Sequence, residues 1–162
     1  MNKIENKMSL EYASVTPYAF VLDEDTRILV VDDDPILREF ASVYLSTPTA
    51  NVETADSAEA GLRQLEHGNF DIVLVDIDMP GMGGFEMIRR MRADPSLCEL
   101  PIVVVTGSED VISIDHSYKV GATSFVTKPV NWRLLSYHLR YVLRDHKSLI
   151  EKLRSLKSLT VT

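Results

Sequence analysis

Five short β-rich runs, each cut off by a charged or helix-breaking residue and followed by helical spacing, constrain this chain more than any single residue does. The runs are Ile28 to Val31, Asn51 to Ala55, Ile72 to Val75, Ile102 to Val105 and Ser124 to Thr127. Ile72 to Val75 is apolar throughout and bounded by breakers, which suits a strand buried on both faces of a parallel sheet. Asp34 and Pro35 open the first helix, the Asp as N-cap and the Pro at the first helical position. Leu37, Phe40, Ala41, Tyr44 and Leu45 form its apolar face, and it ends before Pro48. Ser57 caps a second helix with Ala58, Leu62 and Leu65 on one side, closing near Gly68. Phe85, Ile88 and Met91 mark a third, broken at Asp94-Pro95; Val111 to Val120 reads as a fourth, ended by Gly121; a long last helix starts near Asn131. Strand and helix alternate five times without an internal repeat. That is the pattern of an α/β doubly wound parallel sheet with helices on both faces.

Composition narrows the function. With 162 residues and 45% hydrophobic content, the chain has length and apolar mass for one ordinary domain. Nothing approaches the ~18 uninterrupted apolar residues of a membrane span. The amino end, MNKIENKMSLEY, lacks the apolar centre of a signal peptide, so a cytoplasmic chain is expected. Cys98 is the only cysteine, which excludes an intrachain disulfide or a cysteine zinc cluster and predicts a plain buried or half-exposed thiol. Twenty-four acidic against 17 basic residues give a net charge of -7, an argument against direct nucleic-acid binding. Residues 1–25 read as an N-terminal arm whose Phe20 region docks on the domain.

The chemistry is concentrated where the strands stop. Asp32 and Asp33 follow the first strand, Asp76 the third, Thr106 the fourth and Lys128 the fifth. In a right-handed α/β sheet these positions open onto one edge, where such sheets place their ligands. Carboxylates brought together repel and raise one another's pKa unless a cation joins them. Oxygen donors without His or Cys favour a hard ion, and Mg²⁺ suits because it shares its coordination with phosphate oxygens. Lys128 and the Thr106 hydroxyl can then meet an anion. The set fits phosphoryl transfer onto a central carboxylate, Asp76.

At these residues the sequence resembles the receiver domain of bacterial response regulators in two-component signal transduction. The matching stretches are ILVVDDDP (28–35), DIVLVDIDMPGMGGFE (71–86), PIVVVTG (101–107) and GATSFVTKPV (121–130). The resemblance implies a flavodoxin-like (βα)5 fold with strand order 2-1-3-4-5 and a receiver over residues 26–145. It puts the phosphoacceptor at Asp76, metal contacts at Asp32, Asp33 and the backbone carbonyl of Asp78, the switch hydroxyl at Thr106, the switch aromatic at Phe125 and the phosphate-binding lysine at Lys128. It also implies a cis Lys128-Pro129 bond, and a histidine kinase or phosphotransfer protein as donor. By the same resemblance the surface of the fourth helix, fifth strand and fifth helix is remodelled on phosphorylation and is one route to a homodimer. The chain departs from the family pattern at Asp78, whose carboxylate is expected to tune the lifetime of the phosphorylated form, at Phe125 in place of tyrosine, and at Gly107.

The last helix runs past the receiver. Leu135, Leu139, Val142, His146, Leu149, Leu153, Leu156 and Thr160 step by fours and threes, a heptad seam. Residues 146–162 form a C-terminal helical extension in which Leu149 to Thr160, under two heptads, is free to pair with another chain; it is read either as a frayed amphipathic helix or as a dimer stalk. NWRLLSYHLRYVLR and the charged helix after it look like receivers that lead into output domains such as diguanylate cyclases; no output domain is recognisable in the chain. Two other readings stand beside the receiver. One is a haloacid-dehalogenase-type phosphatase using Asp76 as nucleophile, since Asp76-Ile77-Asp78 resembles its Asp-x-Asp. The other is a receiver-like binding module that is not phosphorylated.

Overall fold

A computed structural model describes residues 21–22, 25–107 and 111–159. Its strands are β1 (Thr26–Val31), β2 (Ala50–Ala55), β3 (Ile72–Val75), β4 (Ile102–Thr106) and β5 (Ser124–Thr127). The helices are α1 (Pro35–Leu45), α2 (Ala58–His67), α3 (Gly84–Ala93), α4 (Val111–Val120) and α5 (Trp132–Leu159). All pairings are parallel and the order is β2-β1-β3-β4-β5, as the resemblance implies.

Because side chains alternate across a strand, each apolar run feeds two cores. Leu29, Val31, Val73, Val75, Ile102 and Val104 face the layer of α2, α3 and α4, where Leu65, Met87, Ile88 and Met91 meet them. Ile28, Val30, Ile72, Leu74, Val103 and Val105 face the other layer, where Ala41 and Leu45 of α1 and Leu135, Leu139 and Val142 of α5 cover them. The helix starts follow the sequence. Asp34 accepts from Ile36 N at 2.9 Å and Ser57 from Ala60 N at 3.2 Å. Gly81 and Gly121 take positive φ, 72° and 112°, at the turns where the chain needs it. The Lys128-Pro129 bond is cis.

Two expectations meet a different outcome, and a third falls outside the described residues. Phe40 and Tyr44 do not join Ala41 and Leu45 beneath α1: they are 47% and 57% exposed and gather around Trp132, with Tyr44 stacked on it at 5.9 Å. Being one helical position earlier, about 100° around the axis, they face the neighbouring helix start instead of the sheet. Cys98 is exposed on the loop after α3, its thiol directed at the Pro95 carbonyl at 3.4 Å. Phe20 lies outside the described residues, as do 1–19. Leu22, however, is 4% exposed, buried in the α1/α5 core, with its carbonyl accepting from the Thr47 hydroxyl at 2.9 Å.

Candidate functional site

Register places the site. Val31 of β1 lies opposite Val75 of β3, so Asp32 and Asp76 leave neighbouring strands at one level. Val75 pairs with Val104, and Thr106 with Thr127, bringing Thr106 and Lys128 to the same edge. The Lys128 backbone N–H donates to the Thr106 carbonyl at 2.8 Å, fixing the two relative to each other. Since β1 has β2 on one side and β3 on the other, Asp32 and Asp76 flank the point where chain direction across the sheet reverses, the general ligand position of such folds.

The charged groups converge. Carboxylate oxygens of Asp32, Asp33 and Asp76 lie within 4.8 Å of one another. Asp32 and Asp76 are 1% and 4% exposed, whereas Asp33 is exposed. The Lys128 ammonium sits 2.9 Å from Asp32 Oδ2 and 3.4 Å from Asp76 Oδ2. Asp32 Oδ1 accepts from Asp34 N at 2.8 Å, and Asp76 Oδ1 from Asp78 N at 3.2 Å. Burial, with the Asp32 charge adding to it, pushes the Asp76 carboxyl above its ordinary value, although the Asp78 N–H and Lys128 pull the other way. Burial works against the Lys128 ammonium, but the hydrogen bonds and charges of Asp32 and Asp76 outweigh it and raise its pKa. One lysine thus serves two buried carboxylates. Three oxygen-only donors with one buried carboxyl held above its usual range make a set that suits a hard divalent cation.

Thr106 is 2% exposed, and its hydroxyl donates to Asp78 Oδ2 at 3.4 Å. Phe125 on the edge strand β5 is half-buried and meets the Tyr118 ring of α4 edge-on at 6.0 Å. It also packs against the core beneath α2, α3 and α4.

Three further residues shape the site without having been singled out from the sequence. Arg38 on α1 donates to the Asp32 carbonyl at 2.7 Å, tying the acidic turn to the helix it opens. Its signal was only an arginine one turn beyond the Asp34 cap. Glu59 on α2 accepts from Met82 N at 3.3 Å, which tethers the loop after β3. Gly84, legible only as a breaker, lets α3 approach the backbone of β3's end: a Cβ there would stand 2.8 Å from Ile77 Cα.

A five-stranded parallel sheet in the order 2-1-3-4-5, with buried aspartates at the carboxyl ends of β1 and β3 and a lysine just after β5, defines a flavodoxin-like α/β class with an acidic site. Within it, the chain belongs to the response regulator receiver domain family, whose model matches residues 28–140. It is therefore a signalling domain of two-component systems, a family in which phosphorylation falls on an aspartate. The transcriptional regulatory protein AfsQ1 of Streptomyces coelicolor is 35% identical over 117 residues, covering 72% of this chain and 51% of that protein. A cyclic di-GMP phosphodiesterase of Thermotoga maritima is 34% identical over 132 residues, covering 82% of this chain and 35% of that one. A CheY-like receiver domain protein from Methanospirillum hungatei superposes with a TM-score of 0.71 at 29% identity, over 76% of this chain and 97% of that structure. The chain spans about half the length of AfsQ1 or less of the other regulator. Among the described residues, no helix is long and apolar enough to cross a membrane.

Proposed function

We propose that Asp76 accepts a phosphoryl group from a histidine kinase or phosphotransfer protein, in a Mg²⁺-dependent reaction in the cytoplasm. The observation that carries this reading is the buried Asp76 carboxylate, ringed by Asp32, Asp33 and Lys128 at one sheet edge. Asp32, Asp33 and Asp76, with the Asp78 backbone carbonyl, would hold the cation, which when bound neutralises charge shared between carboxylate and phosphoryl oxygens. Asp76 is the nucleophile, and its phosphorus–oxygen bond forms as the donor's bond to phosphorus breaks. Lys128, already held by Asp32 and Asp76, stays within reach of the added phosphoryl oxygens. The Thr106 hydroxyl then donates to that group, and Phe125 follows inward, changing the surface of α4, β5 and α5. This is a local charge event biasing a two-state element. No catalytic turnover of a separate substrate belongs to the reading; the chain's chemistry is confined to gaining and losing its own phosphoryl group.

In this reading residues 26–145 are the receiver, 1–25 an arm and 146–162 an extension that carries the signal onward to an output domain or partner. Homodimers through the α4, β5 and α5 surface or through the far part of α5 are the two routes proposed. The test is intact mass after incubation with Mg²⁺ and a small phosphodonor. One added phosphate on the parent and none on Asp76→Ala is the expected result; an unmodified parent refutes it. Steady release of many phosphates per protein from a generic ester would instead favour the phosphatase alternative.

A further inference from the structure

The loop after β3 puts Asp78 between two groups of the site. Its backbone N–H donates to Asp76 Oδ1 at 3.2 Å, and its own Oδ2 accepts from the Thr106 hydroxyl at 3.4 Å. Its carboxylate does not belong to the cluster that could share a cation, which consists of Asp32, Asp33 and Asp76 among the described residues. Asp78 thus contributes its amide to the acceptor and its side chain to the residue that must respond to phosphorylation.

A threonine hydroxyl carries one proton to donate. While that proton is directed at Asp78 Oδ2, it is not directed at an oxygen on Asp76. Resting on the receiver reading above, we propose that the Asp78 carboxylate is a positioning residue that holds the Thr106 hydroxyl in the unphosphorylated protein. The phosphoryl group must take this hydrogen bond over before the switch moves. The main chain at Thr106 is fixed, since its carbonyl accepts from Lys128 N at 2.8 Å. The exchange of acceptors is therefore a reorientation of the side chain, about χ1 or about the bond to the hydroxyl oxygen. At 3.4 Å the bond is longer than an ordinary O–H···O contact. The hold is weak enough for a phosphoryl group to win and strong enough to set a threshold.

Two effects of Asp78 must be separated: the hydrogen bond to Thr106, and plain repulsion between its charge and the phosphoryl group. Asp78 is exposed, so its charge is screened by solvent and salt. Asparagine keeps an acceptor oxygen in the same place and removes the charge, whereas alanine removes both. Beryllium fluoride with Mg²⁺ serves as the phosphoryl stand-in. Its binding is followed by fluorescence of Trp132, the single tryptophan, which borders a small cavity together with Asp32 and Asp76.

Asp78→Ala is expected to tighten binding by about three- to tenfold, the worth of one released hydrogen bond, and Asp78→Asn by no more than about twofold. In a Thr106→Ala background, Asp78→Ala should change nothing. A second readout needs neither metal nor analogue: the Thr106 methyl resonance of the free protein should shift in Asp78→Ala and stay in place in Asp78→Asn. Equal tightening by both variants, persisting without the Thr106 hydroxyl, would assign the effect to charge and overturn the proposal. A parent that binds the analogue with an affinity unaltered by Asp78→Ala overturns it as well, leaving the receiver reading intact. A parent that does not bind beryllium fluoride at all overturns both.

Discussion

One apolar seam on α5 has two fates. Leu135, Leu139 and Val142 are 2%, 0% and 5% exposed against the sheet, while Leu149 and Leu153, continuing the same spacing, are 53% and 41% exposed. Nothing local distinguishes the halves: the residue type, the periodicity and the helical backbone are shared. The inner half is covered by α1 and the sheet, and the outer half extends past the last strand. A helix of 28 residues is about 42 Å long, longer than the domain it leans on. Periodicity therefore reports that a face is apolar, and only the rest of the fold reports what covers it.

The sharpest way to break this comparison is to truncate one leucine in each half. Leu139→Ala should cost about 2–5 kcal/mol in chemical denaturation, as a full core cavity does. Leu153→Ala should leave the unfolding free energy of the domain within about 0.5 kcal/mol. Similar losses at both positions would mean that the outer half is packed against the domain in solution.

The strand-end site forms a third case, a surface completed in part by the chain itself. Lys128 offsets Asp32 and Asp76 but leaves the Asp76 carboxyl above its ordinary value of 3.8, chiefly through burial. A carboxyl whose folded pKa is raised stabilises the fold fully below its unfolded pKa, and that contribution is lost as pH rises through the folded value. Ionised Asp76 is thus a net burden near neutral pH. Asp76→Asn should raise the melting temperature at pH 7, and the gain should fade as pH falls through the raised folded value and be gone below about 3.8. Mg²⁺ should narrow the gap from the other side by stabilising the parent more than the variant. A melting temperature for Asp76→Asn at or below the parent's at pH 7, without metal, would contradict the assigned burden.

These contrasts also show what a sequence reveals. β3 was legible to the residue, because an apolar run bounded by breakers has one comfortable place in a parallel sheet. The convergence of Asp76, Thr106 and Lys128 followed from topology, since all right-handed crossovers deliver strand ends to one edge. The difference between Asp32 and Asp33 was not legible: they are chemically identical neighbours in the turn after β1, and the path of that turn buries one and exposes the other. Phe40 and Tyr44 misled because their spacing matches that of core residues, while their rotation toward Trp132 depends on where α5 begins. Arg38 and Glu59 act through backbone groups, which leave no trace in residue type.

The smallest expected energetic effect concerns the exposed outer half of α5. If the exposed seam pairs two chains, Leu149 and Leu153 are covered in solution by their counterparts, and their exposure in the single chain describes half of an interface. The free seam from Leu149 to Thr160 is shorter than two heptads, so self-association should be weak and concentration-dependent, not permanent. Lys152 and Lys157, which flank the seam, would lie near each other across a parallel pair and weaken it further by a few tenths of a kcal/mol, a penalty that added salt should relieve. Analytical ultracentrifugation of the chain against one stopping at Asp145 measures this directly. A mass that rises with concentration and salt for the full chain alone supports pairing through the extension, and Leu153→Ala should then abolish it without altering the domain's stability. Equal masses at every concentration would remove the stalk and leave the outer half of α5 as a solvated helix.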